Sequence, residues 1–337
     1  MKKRKSISII GAGSWGTTLA IVLARQGIEV SLYSLFSSQN VQMSRQRKNQ
    51  LFLKGVAFPP RLSIPSSEEE ALKSEVIVIA IPVKFLRRSL HKIKKRSDFS
   101  SKFVLSLSKG IEVSSLERPS QIIKSELNLS SSQIAVLSGP TIAREVLAGI
   151  PSAAIIACQN LKKAQELQKV LSHANFRIYL SRDIVGVEIG GALKNIIAIA
   201  CGIADGLRFG TNTKAALLTR GLAEISRLGI KLGADVSTFF GLSGLGDLAT
   251  TCFSSYSRNR FVGEQIGKGR DIKKVLSEMK MVAEGVESVR AVYRLSRRMK
   301  VDMPITREVY KVLYQRKLPR QAVATLMQRP LKLESIR

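Results

Sequence analysis

Residues 6–27 constrain this chain more tightly than any other segment. Ser6-Ile-Ser-Ile-Ile10 is a short apolar run that empties into Gly11-Ala-Gly13-Ser-Trp-Gly16, and Thr17-Thr-Leu-Ala-Ile-Val-Leu-Ala-Arg25 continues as an apolar helix closed by Gly27. A buried strand, a glycine turn and a helix in that order form the dinucleotide-binding fingerprint. Gly11 lets the chain turn sharply, Gly13 lets the backbone approach a pyrophosphate, and Gly16 lets helix and strand pack closely. Backbone N–H groups at the helix start then face the anion. A glycine turn that only packs a helix on a strand would use the same residues, so the order of the elements carries more weight than the glycines themselves.

A chain of 337 residues is long enough for about two domains and a sizeable core. The longest uninterrupted apolar runs, 76–82 and 196–201, fall short of a bilayer's width, so no integral membrane segment is expected. Met1-Lys-Lys-Arg-Lys5 imitates the basic start of a signal peptide, but the apolar stretch after it reaches the glycines too soon; a solvated basic tail is the reading. Cys158, Cys201 and Cys252 are odd in number and widely spaced, which points to a reducing, cytoplasmic setting without a disulfide framework or zinc site. With His91 and His173 the only histidines, neither a histidine-rich metal site nor a Ser-His-Asp triad is expected.

The net charge of +29 raises nucleic-acid binding as an alternative. Its distribution favours solvated faces instead. Residues 1–60 carry nine Lys/Arg against one acid and residues 290–337 thirteen against three, whereas residues 183–267 are nearly balanced at eight against seven. Clusters such as Arg87-Arg88 and 92–96 lack interleaved aromatics, so no nucleic-acid partner is expected. A positive field would still attract an anionic substrate and cofactor.

Strand and helix signals alternate up to about residue 182. Strands are expected at 29–33, 75–81, 103–107, 134–137, 152–157 and 176–180, with helices at 67–73, 83–95 and 161–174 between them. Strand signals then vanish. Apolar-periodic helices follow at 185–204, 213–231, 259–268, 272–281, 285–299 and 305–314. The expected fold is α/β: a Rossmann-type doubly wound sheet over residues 1–182, followed by an all-α domain over 183–337.

Four further segments look chemically purposeful. Ser106-Leu-Ser-Lys109-Gly110 places a lysine just past a strand end, where ligands bind in such sheets; as an isolated pair it would also suit a surface turn. Ser138-Gly139-Pro140-Thr141 is a second strand-end turn, equally suited to starting a helix. In Gly186-Val-Glu-Ile-Gly-Gly-Ala-Leu-Lys194-Asn195, Lys194 is the one cation of a helix that otherwise reads as buried. Gly191 and Gly190 stand three and four positions before it, so its face looks cleared of bulk. A lysine snorkelling from a helix edge leaves those glycines unexplained. Apolar surroundings disfavour the charged amine and bring its pKa toward neutrality, which suits a general acid or base. Gly241-Leu-Ser-Gly-Leu-Gly-Asp247 has an acid where a P-loop would have lysine; Asp247 serves as well as a helix cap or a site acid. Arg258, in Ser257-Arg-Asn-Arg260, offers a planar fork for phosphate oxygens or a solvated surface charge.

In order along the chain, Gly-Ala-Gly-Ser-Trp-Gly, Ser-Lys-Gly, Ser-Gly-Pro-Thr, Gly-Gly-Ala-Leu-Lys-Asn, Gly-Leu-Gly-Asp-Leu and Ser-Arg-Asn-Arg are joined by Val-Ala-Glu-Gly at 282–285 and Met-Pro-Ile-Thr at 303–306. Together they resemble the bacterial-type NAD(P)-dependent glycerol-3-phosphate dehydrogenases over residues 7 to about 328. The resemblance implies reversible reduction of dihydroxyacetone phosphate to sn-glycerol 3-phosphate, feeding phospholipid synthesis. It also implies that Lys194 is the proton donor and acceptor at the C2 oxygen, that Asp247 orients and tunes it, and that Lys109 polarises the carbonyl. Asn195 and Thr251 would complete that polar shell, Arg258 and Asn259 would hold the phosphate, and Gly139, Thr141 and Ser257 would line the site. Ser14, Trp15 and Ala143, with Lys109, Arg258, Val282 and Glu284, would contact the cofactor alongside Gly11, Gly13 and Gly16. No metal is implied, and assembly as a homodimer stays open. The cofactor is NAD or NADP. Tyr33-Ser-Leu-Phe-Ser-Ser-Gln39 holds no acid to bind a ribose 2′-hydroxyl, the family's contact position falls on Leu35, and nothing there repels a 2′-phosphate, so the segment leans to NADP.

Overall fold

The computed structural model describes residues 6–279, 283–331 and 333–334; the basic tail 1–5, the end of the helix expected at 272–281, and Val282 lie outside them. The chain divides into two compact units, Met1–Ser108 with Pro119–Ile184, and Lys109–Arg118 with Val185–Arg337. The excursion Lys109–Arg118, expected within the first domain, packs with the second.

In the first unit, eight strands form one sheet: β1 (Ser6–Ile10), β2 (Glu29–Tyr33), β3 (Leu62–Ser63), β4 (Val76–Ile79), β5 (Phe103–Ser106), β6 (Ile134–Ser138), β7 (Ser152–Cys158) and β8 (Phe176–Ser181), in the order β3-β2-β1-β4-β5-β6-β7-β8. The first six are parallel and carry the doubly wound 3-2-1-4-5-6 order, with the switch point between β1 and β4. Both faces are covered, as parallel sheets require. Ile7, Ile9, Leu32, Val78 and Leu105 face one buried cluster, while Ile10, Ile77, Ile79 and Val104 face another. β7 pairs antiparallel with β6, and β8 parallel with β7. The β6–β7 connection holds only the helix Ala143–Leu147, about 7.5 Å of helix against about 16 Å of strand, so the chain does not return to the starting edge.

The second unit is helical. Its axis is the helix Ile184–Gly206, buried from Gly186 to Ala204. By length and composition this 23-residue helix could cross a membrane, although 89% of its most apolar window is buried inside the protein. The uninterrupted apolar run within it, 196–201, is short because Glu188, Lys194 and Asn195 break the pattern before it. The helix Arg258–Gly267 crosses it backbone to backbone. A Cβ on Gly202 would lie 2.0 Å from the Arg260 carbonyl oxygen, and one on Gly263 would lie 2.1 Å from that of Ile199. Glu284–Arg298, Pro304–Tyr314 and Pro319–Met327 complete the C-terminal packing. The helices Ser37–Gln46, Pro119–Leu127 and Pro319–Met327 have no counterpart among the sequence expectations.

Candidate active site

In the first unit, β1 ends at the glycine turn. Gly11 has φ +115°, and a Cβ there would lie 2.4 Å from the Ala80 carbonyl oxygen; one on Gly16 would lie 2.1 Å from that of Gly11. Both glycines are demanded by the protein's own packing. At Gly13 a Cβ would meet nothing within 4 Å, so this glycine leaves open space beside the start of the helix Ser14–Arg25. That helix has no side-chain cap and no acidic residue in its first turn. Open backbone at a positive helix terminus fits a dinucleotide pyrophosphate. Neutral amides hold the turn: Gln39 Nε2 and Asn49 Nδ2 donate to the Ala12 carbonyl at 3.0 and 2.9 Å, and Asn49 also donates to Thr17 Oγ1 at 2.8 Å.

The other first-unit residues singled out from the sequence take defined places. Ser14 Oγ donates to the Phe52 carbonyl at 3.2 Å, and Trp15 packs edge-on against Phe176. Past β2, the Ser34 hydroxyl donates to Gln39 Oε1 at 2.5 Å, and Phe36, Ser37 and Ser38 are exposed. Past β6, Gly139 has φ +134° and abuts Ala154. Thr141 Oγ1 donates to the Gly139 carbonyl at 3.2 Å, and the Ala143 carbonyl accepts from Thr18 Oγ1 at 3.4 Å.

The second unit gathers the charged residues. Lys194 Nζ donates to Asp247 Oδ1 at 2.5 Å and to Thr251 Oγ1 at 2.8 Å. The Thr251 hydroxyl in turn donates to the Asp247 carbonyl at 2.6 Å. Lys109 Nζ donates to the other carboxylate oxygen, Oδ2, at 2.7 Å. One carboxylate thus bridges two ammonium groups. Asp247 is 1% exposed and Lys194 8%. Burial lowers the Lys194 pKa to about 8, with Asp247 opposing the shift and Lys109 reinforcing it. Burial alone would raise Asp247, but the charges and hydrogen bonds of Lys109 and Lys194 hold it below the usual carboxylate range. Helix capping, the other reading of Asp247, is not its job: Gly246 is the N-cap of the helix Asp247–Phe253, and no side-chain cap is present.

The reason for the glycines before Lys194 also differs from expectation. A Cβ on Gly190 would lie 2.5 Å from the Ser243 carbonyl oxygen. Gly190 therefore admits the backbone of the π-helical turn Leu242–Gly246, which delivers Asp247. It clears space for that turn rather than for the lysine side chain. Such backbone contacts leave no local sequence signal.

Around this centre, Asn195 is buried, and its carbonyl lies close to Gly285. Asn259 Oδ1 accepts from the Gly285 N–H at 3.0 Å, so its Nδ2 is the end suited to a phosphate. Ser257 caps its helix by accepting from the Arg260 N–H at 3.2 Å. Arg260 pairs with Asp205 at 2.6 Å, a helix-to-helix tie that sequence alone does not suggest. Arg258 is exposed. Burial raises the Glu284 carboxyl, against the pull of Arg258, Lys109 and Lys194.

A dinucleotide-binding sheet in one unit, and in the other a buried lysine held by a buried carboxylate, are features of the nicotinamide-dependent oxidoreductases. Residues 6–164 match the family described as NAD-dependent glycerol-3-phosphate dehydrogenase N-terminus, and residues 183–324 match its C-terminus. A relative from Pelodictyon phaeoclathratiforme, glycerol-3-phosphate dehydrogenase [NAD(P)+], is 48% identical over 98% of this chain and 99% of its own. The enzyme of that name from a Thermoanaerobacter strain is 47% identical over 97% and 98%. The crystal structure of glycerol-3-phosphate dehydrogenase from Coxiella burnetii superposes with a TM-score of 0.93 at 36% identity, covering 97% of this chain and 99% of that one. The chain belongs to the NAD(P)-dependent glycerol-3-phosphate dehydrogenases.

Proposed function

We propose that this protein catalyses the reversible reduction of dihydroxyacetone phosphate to sn-glycerol 3-phosphate with NADH or NADPH, in the cytoplasm, for glycerophospholipid synthesis. The observation that carries the reading is the buried Lys194 ammonium, held by Asp247 and Thr251 with a second ammonium on the same carboxylate. The nicotinamide, when bound, supplies the hydride for C2. Lys194 gives its proton to the C2 oxygen; burial makes that ammonium a stronger acid than a solvated lysine. Lys109 stabilises negative charge developing on the oxygen, and Asp247 with Thr251 and Asn195 fixes the direction of the Lys194 amine. Arg258 and the Asn259 Nδ2 hold the phosphate. Ser257, whose oxygen already accepts from backbone, keeps its O–H to donate. Gly139 and Thr141 are further substrate contacts, and Ser14, Trp15, Ala143, Arg258 and Glu284 contact the cofactor.

Support for a lean to NADPH comes from the end of β2. No carboxylate stands between Tyr33 and Gln39, and the Ser34 hydroxyl is already engaged by Gln39. The test is oxidation of NADH and of NADPH driven by dihydroxyacetone phosphate, in wild type and Lys194→Ala. The variant is expected to lose roughly 10²–10⁴-fold in kcat with unchanged cofactor affinity by fluorescence titration. Full activity in Lys194→Ala would refute the assignment.

A further inference from the structure

The excursion Lys109–Arg118 is pinned at both ends. Its first residue donates to Asp247 Oδ2 at 2.7 Å, and its last, Arg118, pairs with Glu188 at 2.5 Å. Glu188 stands six positions before Lys194 on the helix Ile184–Gly206; its side chain is 3% exposed, and that of Arg118 16%. Between the two pins, Ile111 is buried in the second unit's core, and the Val113 carbonyl accepts from Arg294 at 2.7 Å. The Leu116 N–H donates to the Glu112 carbonyl and the Glu112 N–H to the Glu117 carbonyl, closing the loop on itself.

A buried ion pair adds little net stability over an apolar pair of similar volume. A guanidinium on a carboxylate does impose a defined geometry. We propose that Arg118 and Glu188 form a positioning pair that fixes the excursion on the helix carrying Lys194 and so holds the Lys109 ammonium on Asp247. The proposal rests on the reading of Lys109, Lys194 and Asp247 as the acid–base centre. The two can fail separately.

Among the described residues, the groups acting on or contacting the Lys194 amine are Asp247, Thr251 and Cys252 from the helix Asp247–Phe253, Lys109 from the excursion, and Glu284 from the helix Glu284–Arg298. Lys109 disfavours the charged amine. If Lys109 drifts from Asp247, that penalty falls, and Lys194 holds its proton to higher pH.

The test uses Arg118→Met and Glu188→Gln in the full chain. Expected is a fall in kcat on the order of tenfold to a hundredfold, with KM for dihydroxyacetone phosphate nearly unchanged. The pH at which reduction is lost should move upward, and Arg118→Lys should restore part of both. Lysine NMR of the ligand-free protein should show the same upward move of the Lys194 titration. An unmoved midpoint in both measurements, with only a lower thermal midpoint, overturns the proposal. Should Arg118→Met not fold, Glu188→Gln, which keeps an acceptor oxygen, decides it alone. Activity surviving in Lys194→Ala would instead refute the site itself.

Discussion

Replacing Asp247 with asparagine keeps the side chain's shape and removes the one negative charge that both Lys109 and Lys194 touch. Breaking a buried ion pair by deleting one partner costs about 3–5 kcal/mol when the orphaned charge stays in place. This site has a less costly route. Lys194 titrates at about 8, so discharging it at pH 7 costs about 1.4 kcal/mol, and less once Asp247 no longer favours the ammonium. The expected loss of stability from Lys194 in Asp247→Asn is therefore at most about 1.4 kcal/mol at pH 7, with Lys194 neutral. The functional loss is larger, because a neutral amine cannot protonate the C2 oxygen: reduction should fall roughly 10²–10⁴-fold. In wild type, reduction needs the ammonium and declines as pH rises through about 8, while oxidation of glycerol 3-phosphate needs the amine and rises over the same range. Losing a neighbouring opposite charge lowers a lysine pKa by roughly 1–3 units, so both limbs should move to lower pH in Asp247→Asn. The assay is initial rates in both directions from pH 6 to 10, with urea unfolding on the same samples. Limbs that stay in place or move upward would refute the assigned coupling between Asp247 and Lys194.

Two further substitutions test the frame around this centre. Gly190→Ala sets a methyl 2.5 Å from the Ser243 carbonyl oxygen; about 1–3 kcal/mol of overpacking is expected, with a fall in kcat that persists well below the variant's unfolding temperature, and wild-type kcat there would dismiss the role given to Gly190. Glu224, buried and accepting from the Ile305 and Thr306 N–H groups, has its pKa raised by burial to about 7, so its protonated form contributes stability that is complete below about pH 4.5 and lost as pH rises through about 7, up to about 3 kcal/mol. Glu224→Gln should flatten that decline between pH 5 and 8 in urea midpoints, and an unchanged slope would exclude Glu224 as its source.

Much of the fold is legible in the sequence because its signals are local. The β-branched run before Gly11 can only bury itself as a strand, and the loss of strand patterning after residue 182 marks the start of the helical unit. Direction is another matter. Ser152–Cys158 is as apolar as the parallel strands, yet it pairs antiparallel with β6, because the length of the preceding helix, and not the strand's own composition, decides which way it runs. The helix Ser37–Gln46 escapes notice because only Gln39, Asn40 and Met43 are buried, so it lacks the apolar stripe on which periodicity depends.

The site divides along the same line. Lys194 betrays itself by being a cation in an apolar helix, a conflict visible within a single turn. Asp247 does not, since a carboxylate at a helix start satisfies the capping rule whether or not it has other work. What separates the two readings is the Lys194 ammonium lying on the Asp247 carboxylate, a contact across 53 positions that no spacing rule contains. The same holds for Asn259, whose Oδ1 is committed to the Gly285 N–H, leaving only its donor end for a ligand. Residue types announce which chemistry is available; the distances that join a lysine, a carboxylate and a threonine into one hydrogen-bonded cluster are set by backbones packed close enough to exclude a single methyl group.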